Sequence, residues 1–513
     1  MIRRRTFATV GALLLAILLL VPPAEAQKRG GTLVIGNDED AVGLDPHLSV
    51  AFASTQFYEL VYNGLVRFNA KGQIEGDLAS AWEIPNPTTY VFQLRKGVKF
   101  HNGRELTAED VKYSIDRIRD PKNGSVLRSV YANVEAVEVV NPSTVRVKLT
   151  QPSAALLSMM ATRASYVVPR EEVDKHGTLQ KVAVGTGPFK LAEHVTGDHA
   201  RYVRHDAYHE SGRPYLDGFT IKVIKDESSR LAALRKGTID LTWIKDTAIE
   251  DLARKEKTIV AAETPEARQL FIWFNTRQAP FNDVKLRQAV SAALDRKEII
   301  DTVLLGRGRL TTPLPPAAVP YVLSQEEMAA LPFYKQDTAL VKKLLAEAGH
   351  PNGFEFTFKT SPHSPDYVPA AQVVQRQLAK AGITMKLEQM EWGALLKLAR
   401  SGGEFQALAF ARIWYPDPEG YTYDTLHSKG SFNVGGYSNP ASDRLLEEQR
   451  STVDLTKRAA IWKDLQRLWA QDVPIALPYA MRTRFNTWRP HVKGFQAMAN
   501  SSRIYLRETW IEK

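Results

Sequence analysis

The sequence predicts an α/β protein built from two large lobes or about three domains. At 513 residues it far exceeds one ordinary domain of about 150 residues. Between Phe354 and Phe410 the apolar pattern alternates strand, helix, strand, helix, strand, which implies parallel strands joined by right-handed crossovers. The third of these strands runs into Ala409–Tyr423, AFARIWYPDPEGYTY, a stiff aromatic loop at the end of the sheet where ligands of such folds bind.

The chain opens with a processing segment. Arg3, Arg4 and Arg5 precede an apolar run from Ala8 to Val21, and Ala24-Glu25-Ala26 follows as a small-x-small cleavage site, the pattern of a secretory signal peptide. The run is too short to span a bilayer, which takes roughly 20 residues. The mature chain is expected to begin near Gln27. Export without a cysteine excludes a lipid-anchored N-terminus and disulfides, so core burial must supply stability, and a Gram-negative periplasm is the expected compartment. Removing residues 1–26 takes three arginines and one glutamate from 67 basic and 57 acidic side chains, leaving a net charge of +8. With no dense basic run, no nucleic-acid partner is expected.

Taken in order, Gly31–Gly36 reads as a short strand, then a polar loop passes through Leu44-Asp45-Pro46-His47. Phe52 to Val66 has helical spacing, with Phe57, Leu60, Val61 and Leu65 on one face. A strand at Tyr90–Val98 precedes the turn Asn102-Gly103. Thr107 begins a capping box for a helix whose buried face is Val111, Ile115 and Ile118. Val145, Val147 and Leu149 alternate as a half-buried strand, and a short helix at Ala154–Met160 leads to Arg163. Val184–Phe189 holds two glycines and a proline, fit for a crossing where side chains would collide.

The next stretch, with His194, His199, His205 and His209, reads as a charged antiparallel hairpin with exposed histidines. No cysteine and no helical histidine pair turns it into a metal site. Phe219–Val223 and Ile239–Trp243 are strands around a helix from Asp226 to Lys236, closed by Gly237. Asp283–Leu305 is helical with a re-cap at Asp295, and Asp337–Ala348 is a helix capped by Gly349. Two further helices, Asn439–Thr452 and Asp454–Ala470, follow the aromatic loop, and Ile475–Tyr479 is strand-like.

Several landmarks occur in one order: Gly30-Gly-Thr-Leu, Leu44-Asp-Pro-His47, Leu94-Arg-Lys-Gly-Val-Lys-Phe-His-Asn-Gly103, Leu106 to Tyr113, Gly185-Thr-Gly-Pro-Phe189, Asp283 to Arg296, Asp417-Pro418 and Tyr437-Ser-Asn-Pro440. Together they resemble the family 5 extracellular solute-binding proteins of ABC importers, the dipeptide, oligopeptide and nickel type. The resemblance implies a two-lobed periplasmic-binding-protein fold (a Venus flytrap) of the large cluster, with an extra inserted domain. The implied division is a signal peptide at 1–26, lobe I at 27–70, 185–270 and 481–513, an inserted domain at 71–184, and lobe II at 271–480. It further implies a monomer, without cofactor or metal, that closes on a small-molecule or peptide-like ligand and docks on an inner-membrane ABC permease.

In peptide-binding members the loop before Asp-Pro carries an aspartate that grips the peptide ammonium; here the matching position is Trp414. Trp414 and Tyr415 are therefore expected as ligand walls, a π face over a cation being worth about 0.5–2 kcal/mol. The alternative for Trp414 is packing between lobes. Asp417 is expected to be structural, accepting backbone amides in its turn. Arg163 is the expected carboxylate anchor, its guanidinium gripping bidentately, and Arg412 is a second. Trp273 and Asn275 are expected to line the cleft, with strand core the alternative for Trp273; Phe52 and Ser54 complete the set.

Two functions compete. One is transport binding of a peptide-like, opine-like or chelate solute, with unmodified di- or oligopeptides as the variant disfavoured by Trp414. The other is an exported hydrolase, which lacks a Gly-x-Ser-x-Gly elbow, a catalytic cysteine or triad spacing. A periplasmic chaperone or sensor on the same scaffold is a third. Simple peptides are expected to bind poorly.

Overall fold

The computed structural model describes residues 27–512 except 50, 126, 317, 402, 414–416, 431, 474–475 and 499–501. Within that span the side chains of 52, 265–268, 400–401, 411–413, 421 and 476–484 are also not described. Ten strands lie edge to edge in one sheet. From one edge these are Thr384–Gln389, Glu355–Thr360, Ala407–Ile413, Val260–Phe274, Ala476–Trp488, Leu241–Ile244, Thr32–Asn37, Gly218–Val223, His199–Arg204 and Phe189–Val195. Gly308–Arg309 adds an eleventh on Ala476–Trp488.

The two long central strands explain the two lobes. Val260–Phe274 and Ala476–Trp488 pair antiparallel from Val260 opposite Trp488 to Pro265 opposite Thr483, and again from Gln269 opposite Met481 to Trp273 opposite Ala476. The register breaks between Pro265 and Gln269, where proline cannot donate to the ladder, and shifts again between Leu270 and Phe271. One half of each strand thus belongs to each lobe, and the break is the natural hinge.

Burial divides the same way. One half packs Ile272, Phe274, Val290, Phe356, Phe358 and Val374 into a core, with a second core around Trp273, Phe410, Trp462 and Trp469 on the other face of the sheet. The other half packs Leu33, Ile35, Phe57, Phe189, Tyr202 and Phe219. A separate antiparallel sheet, in the order Ala79–Asn86, Thr89–Leu94, Thr144–Leu149, Val134–Asn141, closes its own core with the helix Ala108–Arg119 through Phe92, Val111, Ile115, Val145 and Val147. Among the described residues no helix is long and apolar enough to cross a membrane.

Most predicted elements stand where periodicity placed them. The strands Glu355–Thr360, Thr384–Gln389 and Ala407–Ile413 are parallel. The helical stretch near 283–305 is two helices, Val284–Ala292 and Arg296–Leu304, with Asp295 accepting from Glu298 N as the re-cap. A Cβ on Gly185 or Gly187 would come within 2.3 or 2.4 Å of the carbonyl oxygen of Val61 or Leu60. The glycines therefore permit the close crossing that the sequence suggested.

Two expectations fail and one long strand goes unpredicted. The helix expected over Phe52–Val66 stops at Tyr58, because Asn63 and Gly64 turn to donate to Asp77 and Val66 starts a strand. The strand through Phe271 begins at Val260, hidden in the sequence by its glutamates and proline. The histidines of the Phe189–Arg204 hairpin region are not all exposed: His205 is buried against the carbonyl of Gly187, and His194 pairs with Asp40 at 2.9 Å.

Candidate ligand cleft

Strand direction fixes where the cleft lies. Ala407–Ile413 runs antiparallel to Val260–Phe274 and brings Ile413 opposite Arg268, so its carboxyl end is at the register break. Glu355–Thr360 and Thr384–Gln389 run parallel to it and end on the same side. In the other lobe Leu241–Ile244 is antiparallel to Ala476–Trp488 and brings Ile244 opposite Phe485, just short of the break. Thr32–Asn37 and Gly218–Val223 are parallel to Leu241–Ile244. The carboxyl ends of both sets of parallel strands therefore converge on the hinge. This is the crevice that binds ligands in open α/β sheets, here formed twice and face to face.

On the lobe I side the cleft is floored by a buried polar network. Arg503 donates through Nη2 to Asn37 and through its backbone N–H to Glu59 Oε1 at 2.7 Å, and its guanidinium lies 4.4 Å over Trp243. Asn37 Nδ2 donates to Gln56 Oε1 at 3.1 Å, and Ser502 Oγ to Glu59 Oε2 at 2.8 Å. Lys245 and Asp38 pair across the ends of two neighbouring strands. These residues escaped the sequence reading because Asn37 and Arg503 are 466 positions apart; only their chemistry, without motif or spacing, marked them.

On the lobe II side the aromatic loop is moored at its end. Arg458 donates to Asp417 through Nη1 at 2.7 Å and Nη2 at 2.8 Å, both side chains nearly solvent-free, while Asp417 Oδ1 also accepts from Glu419 N at 3.0 Å. Burial opposes the Arg458 charge, but the Asp417 carboxylate outweighs it and raises the guanidinium pKa above its ordinary value. Next along the chain, Arg450 Nε donates to Glu419 Oε1 at 2.7 Å, and burial pushes the Glu419 carboxyl above its usual range. Asp417 is structural, as its turn suggested.

The structure distributes the expected site residues unevenly. Arg163 is half-buried at the lobe I edge, where Nη1 donates to the carbonyls of Pro46 and Ser49 and to Tyr58 Oη. It thereby holds the loop that follows the Thr32–Asn37 strand, so that nitrogen grips backbone where a solute carboxylate was expected. Ser54 is buried and accepts from the amides of Val42 and Gly43, which shapes the same loop. Trp273 and Asn275 are both buried inside lobe II, which for Trp273 is the strand-core alternative and for Asn275 a correction. Trp273 packs against Phe410 and Phe432, and Asn275 donates to Phe405 O, because the strand carries them past the hinge into the core. Phe52 begins the helix Phe52–Tyr58 and Arg412 lies in Ala407–Ile413 at the cleft end, but their side chains, with Trp414 and Tyr415 entirely, fall outside the described residues.

The histidine region offers one potential metal cluster. Asp77, His209 and Glu210 bring ligand atoms within 4.8 Å of one another. The two carboxylates are already engaged, since Arg67 Nη1 donates to both and Asn63 and Gly64 serve Asp77, while the ring nitrogens of His209 are buried without a hydrogen-bond partner. The set suits a guanidinium, and no metal role is built on it.

Residues 73–433 match the model of the bacterial extracellular solute-binding proteins, family 5. The chain is 33% identical over 504 residues to the heme-binding protein A of Haemophilus influenzae, covering 90% of this chain and 89% of that protein. It is 26% identical over 506 residues to the glutathione-binding protein GsiB of Escherichia coli, covering 96% of each. The solved structure of the periplasmic binding protein DppA from Helicobacter pylori, in complex with the peptide STSA, superimposes with a TM-score of 0.81 at 26% identity, over 95% of this chain and 99% of that one.

Proposed function

The chain belongs to the bacterial extracellular solute-binding proteins of family 5, and from that premise we propose that it captures a small polar organic solute, peptide-like, opine-like or a chelate, between its lobes and delivers it to an ABC-type permease of the inner membrane. The observation that carries this reading is the convergence of strand carboxyl ends from both lobes on a hinge where two strands cross. Binding then favours closure by the difference in solute affinity between the open and closed arrangements. It acts in the periplasm after cleavage near residue 26, as a monomer, without chemistry on the solute and without nucleic acid.

The relatives name haem, glutathione and a peptide as their ligands. All three carry free carboxylates, which supports a carboxylate-bearing solute here. Of the two arginines, Arg412 is the better anchor: it lies at the cleft end of its strand, whereas Arg163 Nη1 serves the loop at Pro46 and Ser49. Trp414 and Tyr415 are the proposed aromatic wall, and the lobe boundaries are proposed at 270/271 and 480/481, beside the register break. Calorimetry with glutathione, short peptides, opines, haem and nickel–histidine tests the reading. One of these should bind at micromolar or tighter affinity and weaken at least tenfold in Arg412→Ala. A flat response to the whole panel, or turnover of a bound member, contradicts it.

A further inference from the structure

Beside the hinge the two lobes are tied through the helix Thr247–Arg254. This helix follows the lobe I strand Leu241–Ile244, and Asp246 caps it by accepting from Ala248 N at 2.8 Å and Ile249 N at 3.1 Å. Its inner face is fastened to the crossing strands. Ala253 packs with Leu231, Ile244 and Phe485 in a small core, and the Arg254 guanidinium lies 4.4 Å over the Phe485 ring while pairing with Glu263. Phe485 and Glu263 stand opposite each other in the ladder, just before it breaks at Pro265.

The same helix is also held from lobe II. Arg307 follows the helix Arg296–Leu304 after a left-handed turn at Leu305 and Gly306, and Gly308 opposite Arg482 joins the sheet, so the residue is fixed on both sides. Its Nη1 donates to Thr247 O at 3.2 Å and to Glu250 Oε2 at 2.7 Å, and Nη2 donates to Asp251. Glu250 is buried. One planar guanidinium thus spans acceptors on Thr247, Glu250 and Asp251, one helical turn, a fit that the point charge of a lysine does not reproduce.

A rotation of lobe II about the register break carries Arg307 with it, while the helix stays with lobe I on Phe485. The contact is made here in an arrangement where the inserted domain and lobe II also touch, through Ala154 N donating to Arg450 O at 2.8 Å. Moving a guanidinium off a buried carboxylate is costly. We propose that Arg307 and Glu250 form a latch that holds the lobes together before any solute arrives, so that part of the solute-free protein rests closed. Solute then completes a closure already favoured, and losing the latch weakens affinity because the fraction ready to bind falls. The latch adds to the capture reading a resting state that the chain sets by itself.

Double electron–electron resonance on the mature, solute-stripped chain tests it. The sequence has no cysteine, so Lys122→Cys in the inserted domain and Glu448→Cys in lobe II, both exposed, alone take spin labels. The wild-type background is expected to show a short and a long separation, and Glu250→Gln and Arg307→Gln each to lower the short-to-long ratio about threefold or more. Lys297→Gln, which loses only an exposed pair with Asp301 on the preceding helix, should leave the ratio unchanged. Thermal melts identify a variant that fails to fold, and the other then decides. A stripped protein with the long separation alone, or folded Glu250→Gln and Arg307→Gln chains with the wild-type distribution, overturns the proposal. Because the measurement uses no solute, the expected shift beside a flat calorimetric panel rejects capture alone, and tight panel binding without the shift rejects the latch alone.

Discussion

Asp45, His47 and Arg117 show how a single residue can join two domains. Arg117, on the inserted-domain helix, donates to Asp45 at 2.6 and 3.0 Å and to His47 Nδ1 at 2.9 Å, so the neutral ring donates from Nε2 to Tyr166 O at 2.8 Å. Burial raises the Asp45 carboxyl, but Arg117 overrides it and holds the group below its ordinary value. Removing one partner leaves the other charge buried, so Asp45→Ala should cost about 3–5 kcal/mol in urea unfolding. Leu44-Asp-Pro-His47 was legible as a motif; its partner, 72 residues on, was not, because the contact is made between domains.

Buried histidines give the stability a pH dependence. Burial, then the Arg117 charge, lowers His47 from 6.5 to about 4, and burial lowers His101 to about 3. Between those values and 6.5 the unfolded chain binds protons that the folded chain refuses, so stability is full above pH 6.5 and falls as the pH drops. Each histidine contributes a slope of about 1.4 kcal/mol per pH unit. Urea melts between pH 6.5 and 5, above the carboxylate range, should show this slope reduced by one such share in His101→Gln; an unchanged slope contradicts it.

At the scale of elements, the Asp417–Arg458 pair anchors the end of the stiff Pro-Asp-Pro motif as a fixed post. The pair ties the aromatic loop to the helix Leu455–Asp472, with Gln449 Oε1 accepting a further Arg458 bond at 2.9 Å. Arg458→Leu should cost about 3–5 kcal/mol and weaken solute binding together, both read by melts with and without the tightest panel solute. The Gly185 and Gly187 crossing makes a second case. Gly185→Ala places a methyl 2.3 Å from Val61 O and should cost about 1–3 kcal/mol in urea unfolding.

Element types were legible because apolar periodicity is local: the alternating Phe354, Phe356 and Phe358 became the strand Glu355–Thr360. The strand from Val260 was missed because its polar half lies in the hinge, where pairing with Ala476–Trp488 replaces an apolar pattern. Trp273 misled for the opposite reason. An aromatic beside a domain crossing looks like a cleft wall, and only the register shows it carried beyond the hinge into the core.

At the scale of the molecule, the hinge, the facing strand ends and the seam at Ala154 and Arg450 describe one closing device. A second inter-lobe contact, Arg307 with Glu250 at 2.7 Å and with Asp251, lies close to the crossing strands. Partly exposed ion pairs are screened by salt, so closure should depend only modestly on ionic strength compared with its dependence on solute. Small-angle scattering at low and high salt, with and without the bound panel solute, reads both effects.

Capture without conversion is the proposed activity. Its most direct measurement is mass spectrometry of what the protein releases on denaturation after purification from its own periplasm. One organic solute in near-equimolar amount is expected, chemically unchanged by prolonged incubation with the protein, and its re-addition should compact the stripped protein. A solute that the protein converts, or a stripped protein that keeps one radius whatever is added, would contradict it.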